Sequence, residues 1–222
     1  ILYFLSYDGS TFIEAADASQ YYVPALSFLD SGQFKMGDTP LTFGAPLYSI
    51  FLALPIYIFG LDESTAAIVF VQCALLYLTG SLSRYILLKF SSKFGLLLHA
   101  LVIFNPNSMI TAHLVQSETL FTLLLVWSVV VIFKIITDFS WRNIILLGIL
   151  IGLAALTRPI ALYLLILYPV FILTVLIIKG KPNIHNVAVF HRNGFWIKLL
   201  AIGLIGGLVV SPWYIRNYAK FD

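Results

Sequence analysis

Charge is what this sequence has least of. Only 10% of its 222 residues are Asp, Glu, Lys or Arg, while 60% are hydrophobic types, and the mean hydropathy is +0.97. An ordinary soluble domain carries about 25% charged residues. So few charges cannot cover a globule with polar surface, which excludes a soluble monomer, a disordered chain and a fibrous repeat. Cysteine is nearly absent too. Cys73 stands alone in an apolar run, so neither a disulfide framework nor a Cys/His zinc site can be built. The four histidines, His99, His113, His185 and His191, show no ligand spacing. A net charge of +3 without a basic stripe among aromatics excludes a nucleic-acid partner. The glycine-rich phosphate loops of soluble nucleotide enzymes are also missing. Gly148-x-x-x-Gly152 and Gly203-x-x-x-Gly207 are spaced for close helix approach instead.

What is present in quantity is long apolar runs. A bilayer-spanning helix takes about 20 mostly apolar residues. Spans are predicted at 64–88, 93–111, 117–136, 143–156, 159–178 and 195–213. The segment at 143–156 is short, and only Thr157-Arg158-Pro159 separates it from the next. Residues 1–5 read as the last turn of an earlier span. The chain begins with Ile rather than Met, and 1–222 reads as a single transmembrane module cut from a longer protein. The fold class predicted is all-α integral membrane, a multi-span helical bundle.

Loop charges orient the bundle, because Lys and Arg are retained on the cytoplasmic side. Alternating the loops puts Arg84, Lys89, Lys93, Lys134, Arg142, Lys179, Lys181, Arg192 and Lys198 on one side. Only Lys35, Arg158, Arg216 and Lys220 fall on the other. Of the acidic residues, Asp138 alone is on the basic side. The acidic side is assigned to the outside. Its long segment, 6–63, is read as an outer loop with two interfacial helices. In the first, Tyr21, Ala25, Phe28 and Leu29 share a face, Pro24 is expected to disturb the first turns, and Ser31-Gly32 gives a stop signal. The second, 46–60, opens with Pro46, ends at Gly60, and is too short to cross comfortably.

Several outer residues could carry chemistry. Asp17 opens the first interfacial helix; an N-cap is the ordinary use of Asp there, and a general base facing a membrane cavity is the other reading. Asp8 and Glu14 are nearby carboxylates that chemistry alone leaves open. Ser117-Glu118 opens a span, where an acid suits the helix N-terminus but a charge beside a membrane cavity tends to be functional. Arg158 can snorkel to headgroups. It also stands against the charge bias, and a guanidinium can grip a phosphate with two parallel hydrogen bonds. Arg216, in Pro212-Trp-Tyr-Ile-Arg-Asn-Tyr218, could add a second phosphate contact; Lys35 and Lys220 are weaker candidates of the same kind.

Taken in order, these elements resemble the GT-C glycosyltransferases. The chain is similar in particular to the protein O-mannosyltransferase and aminoarabinose-transferase branch, which uses polyprenyl-phosphate sugars. The resemblance runs through Asp17-Ala-Ser-Gln-Tyr21 with Ala25 and Gly32-Gln-Phe34, then Pro46-Leu-Tyr48 with Phe59-Gly60. It continues through Asn105-Pro106, Ser117-Glu118, Gly152-Leu-Ala-Ala-Leu-Thr-Arg-Pro159 and Pro212 to Tyr218. It covers nearly the whole chain, and order and spacing carry it rather than any one motif. The residue after Asp17 is Ala where many relatives have a second acid, which weakens any paired-carboxylate or metal site.

The resemblance implies an inverting glycosyltransferase that moves a sugar from a polyprenyl-phosphate carrier to an acceptor hydroxyl at the outer face. Asp17 would be the base. Arg158 and Arg216 would bind the donor phosphate, and Glu118, Tyr21 and Tyr48 would bind or orient substrate. No resident cofactor and no metal site are expected; a divalent-metal requirement is left open. The implied partners are membrane lipid, the lipid-linked sugar, and a glycan, lipid or protein acceptor. The implied location is a multi-pass protein of the prokaryotic plasma membrane in preference to the endoplasmic reticulum. The alternative is a multi-span transporter or flippase of lipid-linked sugars. Transporters place charged or broken-helix sites near the midplane, whereas the spans here are nearly free of mid-segment charge. A structural subunit without a site would leave the acidic outer loop and the outward Arg158 unexplained.

Overall fold

A computed structural model describes residues 18–37, 39–41, 44–61, 63–91, 93–179 and 194–221. Helices dominate them. The chain divides into two compact units, Ile1–Leu123 and Leu124–Asp222.

In the first unit, α1 (Ala18–Ser31) packs on α2 (Pro46–Phe59). Its apolar face is Ala18, Tyr21, Tyr22, Ala25 and Phe28, while Leu29 turns outward. Pro24 does not disturb the helix, which runs through it with the proline buried. A proline inside a helix forgoes one backbone hydrogen bond, and burial of its ring offsets part of that loss. A two-stranded antiparallel ribbon follows, β1 (Lys35–Met36) and β2 (Thr39–Pro40). Gly37, at φ +64, makes the turn, a conformation glycine adopts at no steric cost. Pro46 starts α2 at its first turn, and Gly60, at φ +77, ends it.

Next come α3 (Ser64–Leu88), α4 (Gly95–Ile103) and α5 (Pro106–His113). Helices α3 and α4 lie antiparallel and close. A Cβ on Gly80 would stand 3.1 Å from His99 Nδ1, and one on Gly95 would stand 2.9 Å from Leu88 Cδ2. The span expected at 93–111 is in fact two helices bent by 49°. Pro106 is the cause. A residue before proline is pushed out of the helical region, and Asn105 is extended at φ −64, ψ 123. Its side chain then caps α5 by accepting from Ser108 N at 3.1 Å.

Helix α6 (Glu118–Thr137) follows, and the second unit continues with α7 (Trp141–Thr157), a short 3-10 helix (Pro159–Tyr163), α8 (Leu164–Lys179) and α9 (Phe195–Phe221). At 17 residues α7 is below the usual spanning length. The last span, expected to end at 213, runs on through Pro212 to Phe221. Among the described residues, four helical stretches are long and apolar enough to cross a membrane: 64–88, 118–137, 159–178 and 195–220; the bent pair makes up to five.

Helices α7 and α9 cross closely in the second unit. A Cβ on Gly148 would meet Ile205 Cβ at 2.8 Å, and one on Gly152 would meet Val209 Cβ at 2.6 Å. On the facing helix, a Cβ on Gly206 would stand 3.1 Å from the Gly148 carbonyl oxygen and would collide with Leu165 of α8. Numbers rise together on both sides of the contact, so the two helices run parallel. Small residues at this spacing let backbones meet without hydrocarbon between them. At the other end of the unit, Lys198 donates to the Phe139 carbonyl at 2.7 Å and lies over the Phe139 and Trp141 rings.

Candidate active site

In the first unit, three of the six candidate residues come together: Tyr21 from α1, Tyr48 from α2 and Glu118 at the start of α6. The ring of Tyr21 meets that of Tyr48 edge to face, with centroids 4.9 Å apart. Tyr48 is fully buried, and its hydroxyl donates to Gln72 Oε1 at 2.8 Å. Burial pushes the Tyr48 phenol well above the usual tyrosine range; a backbone hydrogen bond from Gln116 pulls the other way, and negative charge on Tyr21 or Glu118 would add to the rise. Tyr48 is therefore neutral, with its one proton committed to Gln72, and it cannot serve as a base near neutral pH.

The Tyr21 hydroxyl is hydrogen-bonded to Ser117 Oγ at 3.0 Å. Ser117 is itself fully buried, and its carbonyl accepts from Phe121 N at 2.9 Å, so α6 springs from it. This one bond ties α1 to the base of α6. Glu118 is the acidic residue of the first turn of α6 and is half-buried. The unsatisfied N–H groups and dipole of a helix start favour an anion at that position.

Gln72 is the member that sequence reading missed. It lies in the third turn of α3 and is fully buried. Its Oε1 takes the Tyr48 proton, and its Nε2 donates to Leu114 O at 2.9 Å and Ala112 O at 3.3 Å. A signal was available, because an amide inside an apolar span is costly unless it is satisfied.

In the second unit, Thr157-Arg158-Pro159 works as a helix stop. Pro159 forces Arg158 into the extended region, at φ −143, ψ 119, which ends α7 and turns the chain into the 3-10 helix. The Arg158 N–H still bonds Ala154 O at 2.8 Å, and its carbonyl accepts from Ala161 N at 3.0 Å. Its backbone is thus fixed from both sides. Arg216 lies inside α9, with its guanidinium over the Trp213 ring at 4.6 Å and Nη1 donating to Asn217 Oδ1 at 2.7 Å. The register of α7 on α9, Gly148 on Ile205 and Gly152 on Val209, carries residue 158 to the level of residues 215 and 216. Both arginines therefore sit at the same end of one parallel helix pair.

Asp17, with Asp8 and Glu14, lies outside the described residues. Among the described residues, no group of three or more His, Cys, Asp or Glu is arranged to hold a metal ion.

The family of dolichyl-phosphate-mannose-protein mannosyltransferases matches residues 40–215. The chain belongs to this family. It is a membrane glycosyltransferase of the GT-C type, all-α and multi-span. Neither a curated protein nor a solved structure matches it. The mannosyltransferase match takes in Tyr48, Gln72, Ser117, Glu118 and Arg158. It begins after Asp17 and Tyr21 and stops one residue before Arg216. Membership in a mannosyltransferase family decides for a transferase over the transporter.

Proposed function

We propose that this chain transfers a sugar from a polyprenyl-phosphate carrier to an acceptor hydroxyl at the outer face of the membrane, with inversion. The Asp17 carboxylate takes the hydroxyl proton as the acceptor oxygen bonds to the anomeric carbon. The bond from that carbon to the phosphate oxygen breaks, its electron pair goes to the oxygen, and polyprenyl phosphate leaves. Arg158 and Arg216 hold the phosphate as its charge develops. Tyr21 offers a hydroxyl and Glu118 a carboxylate to the sugar or the acceptor, and Tyr48 orients Tyr21 through its ring. The chain's own residues suffice for each of these steps, so no resident cofactor is assigned. The acceptor is a glycan, a lipid or a protein, and the membrane is the prokaryotic plasma membrane.

The parallel register of α7 and α9 is the observation that carries this reading. It sets the backbones of two arginines at one level of a helix pair, an arrangement that suits a phosphate leaving group. Family membership supports the transferase class.

The test is transfer by the full-length protein in proteoliposomes, with dolichyl-phosphate mannose as donor and hydroxyl-bearing peptides, glycans and lipids as acceptors. Wild type is compared with Asp17→Asn and Arg158→Ala. Unchanged transfer in both correctly folded variants sinks the site assignment. Solute flux with no transfer from dolichyl-phosphate mannose to any of these acceptors returns the question to the transporter.

A further inference from the structure

Gln72 is fully buried in the first unit, and no step above uses its amide. Its amide is saturated. Oε1 accepts from the Tyr48 hydroxyl at 2.8 Å, and the two Nε2 protons go to Leu114 O at 2.9 Å and Ala112 O at 3.3 Å. The two carbonyls belong to the end of α5 and the turn that follows it. Ala112 O is one of the last carbonyls of α5, which a helix leaves without intrahelical partners. Leu114 is extended, at φ −105, ψ 154, and its carbonyl also accepts from Gln116 N at 2.9 Å, closing a three-residue turn. Ser117 and Glu118 come next. Ser117 Oγ meets the Tyr21 hydroxyl, and Glu118 begins α6. One side chain thus fixes the turn that delivers Ser117 and Glu118, and the phenol of Tyr48 from another helix.

We propose that Gln72 is a positioning residue for sugar transfer. It locks the 112–117 turn and the Tyr48 hydroxyl together, so that Glu118 and Tyr48 are held in one fixed geometry. This rests on the assignment of Glu118 as a substrate-orienting group. No shorter or apolar residue can replace it. Asn is one methylene too short to reach both helices, and Leu offers neither an acceptor nor a donor. Replacing Gln72 by Leu strands the Tyr48 proton and two carbonyls in apolar surroundings, where unmet polar groups seek other partners. The turn then relaxes. A misplacement of about 1 Å in a positioned group can cost about 10²-fold in rate.

The experiment uses the full-length protein in proteoliposomes with dolichyl-phosphate mannose as the donor. Transfer kinetics are measured for wild type, Gln72→Leu, Gln72→Asn, Glu118→Gln and the double variant Gln72→Leu/Glu118→Gln. Hydrogen exchange is read over residues 112–118 and, as control, over 148–157 of α7. Gln72→Leu is expected to lower kcat by roughly 10- to 100-fold, with donor KM changed less than about threefold, and Gln72→Asn to fall between it and wild type. Exchange is expected to quicken at 112–118 alone. The double variant is expected to be no slower than the worse single one, because both act through Glu118. Multiplicative losses in the double variant overturn the proposal while leaving the role of Glu118 intact. Wild-type transfer by Glu118→Gln overturns the assignment of Glu118, and with it the route proposed for Gln72. If Gln72→Leu fails to fold, Gln72→Asn decides: faster exchange at 112–118 with unchanged kcat overturns the proposal.

Discussion

Gly152 of α7 and Val209 of α9 touch so closely that a Cβ on the glycine would stand 2.6 Å from Val209 Cβ and 3.0 Å from the Gly206 carbonyl oxygen. Atoms at that distance cannot both stay where they are, and the carbonyl is backbone rather than a flexible side-chain tip. Two parallel helices are pinned by this contact, and their shared register sets Arg158 level with Arg216. Packing and proposed chemistry therefore hang on the same glycine.

Gly152→Ala is expected to push α9 away from α7. Overpacking of this kind costs about 1–3 kcal/mol, and it should lower both the unfolding midpoint in lipid nanodiscs and the rate of transfer. Gly207→Ala is the control. Nothing lies within 4 Å of its Cβ position, and alanine is the better helix former by up to about 1 kcal/mol. Equal behaviour of the two variants would contradict the crossing described.

Arg158→Ala is expected to reduce transfer on a scale comparable with Asp17→Asn. Acid–base help is worth about 10²–10⁴ in rate, and removing one electrostatic donor to developing charge costs about 10²–10³. Arg158 is fixed through its backbone to Ala154 and Ala161, and those bonds remain when the side chain is cut back. Arg158→Lys should recover part of the loss, since an ammonium supplies charge without the bidentate fork. Transfer assays on membranes with matched protein levels decide the order.

Tyr21→Phe and Ser117→Ala each remove one end of the 3.0 Å bond between α1 and the start of α6. Each should destabilise by roughly 0.5–1.5 kcal/mol, the usual net worth of such a bond. The double variant should cost no more than the worse single one. Additive losses in an unfolding series would show that the two hydroxyls act separately.

Much of the fold was legible because apolar runs report span positions directly, and 64–88 is an example. The break at Asn105-Pro106 was present in the sequence as a proline, yet apolar content on both sides hid it inside one predicted span. Pro212 misled in the opposite sense: α9 passes through it, so hydropathy ended the span before the helix ended. The ribbon at 35–40 is too short to show period-2 alternation. Of the candidate site, Tyr21, Tyr48 and Glu118 were found by their order along the chain. Gln72 was not, because its role exists only once α2, α3 and α5 are packed together.

Orientation can be read by labelling. Cys73 is the one cysteine of these 222 residues, so the labelling background carries Cys73→Ala and one new cysteine in this segment. Cysteine at Lys35, between α1 and β2, is expected to react with a membrane-impermeant reagent added outside intact cells. Cysteine at Lys93, between α3 and α4, should react only after permeabilisation. The reverse pattern would place the outer loop in the cytoplasm, and the proposed mechanism would fail with it.

Tyr48 gives a pH dependence whose sign follows from its burial. The phenol is held above its ordinary value of about 10, so the folded chain keeps its proton where the unfolded chain releases it. Below about pH 10 both states are protonated and this residue makes no contribution to pH dependence. Above that, the unfolded state binds fewer protons, and stability falls as pH rises toward the folded value. Tyr48→Phe should be less stable than wild type at pH 8, because Gln72 Oε1 loses its donor in a buried setting; that loss is worth about 1–3 kcal/mol. The deficit should shrink between about pH 10 and 11, since only wild type carries the extra slope. Taking the difference between the two proteins cancels the other tyrosines, which titrate in both. A deficit that stays constant through that range would mean that Tyr48 is not desolvated as its packing against Tyr21 and Gln72 requires.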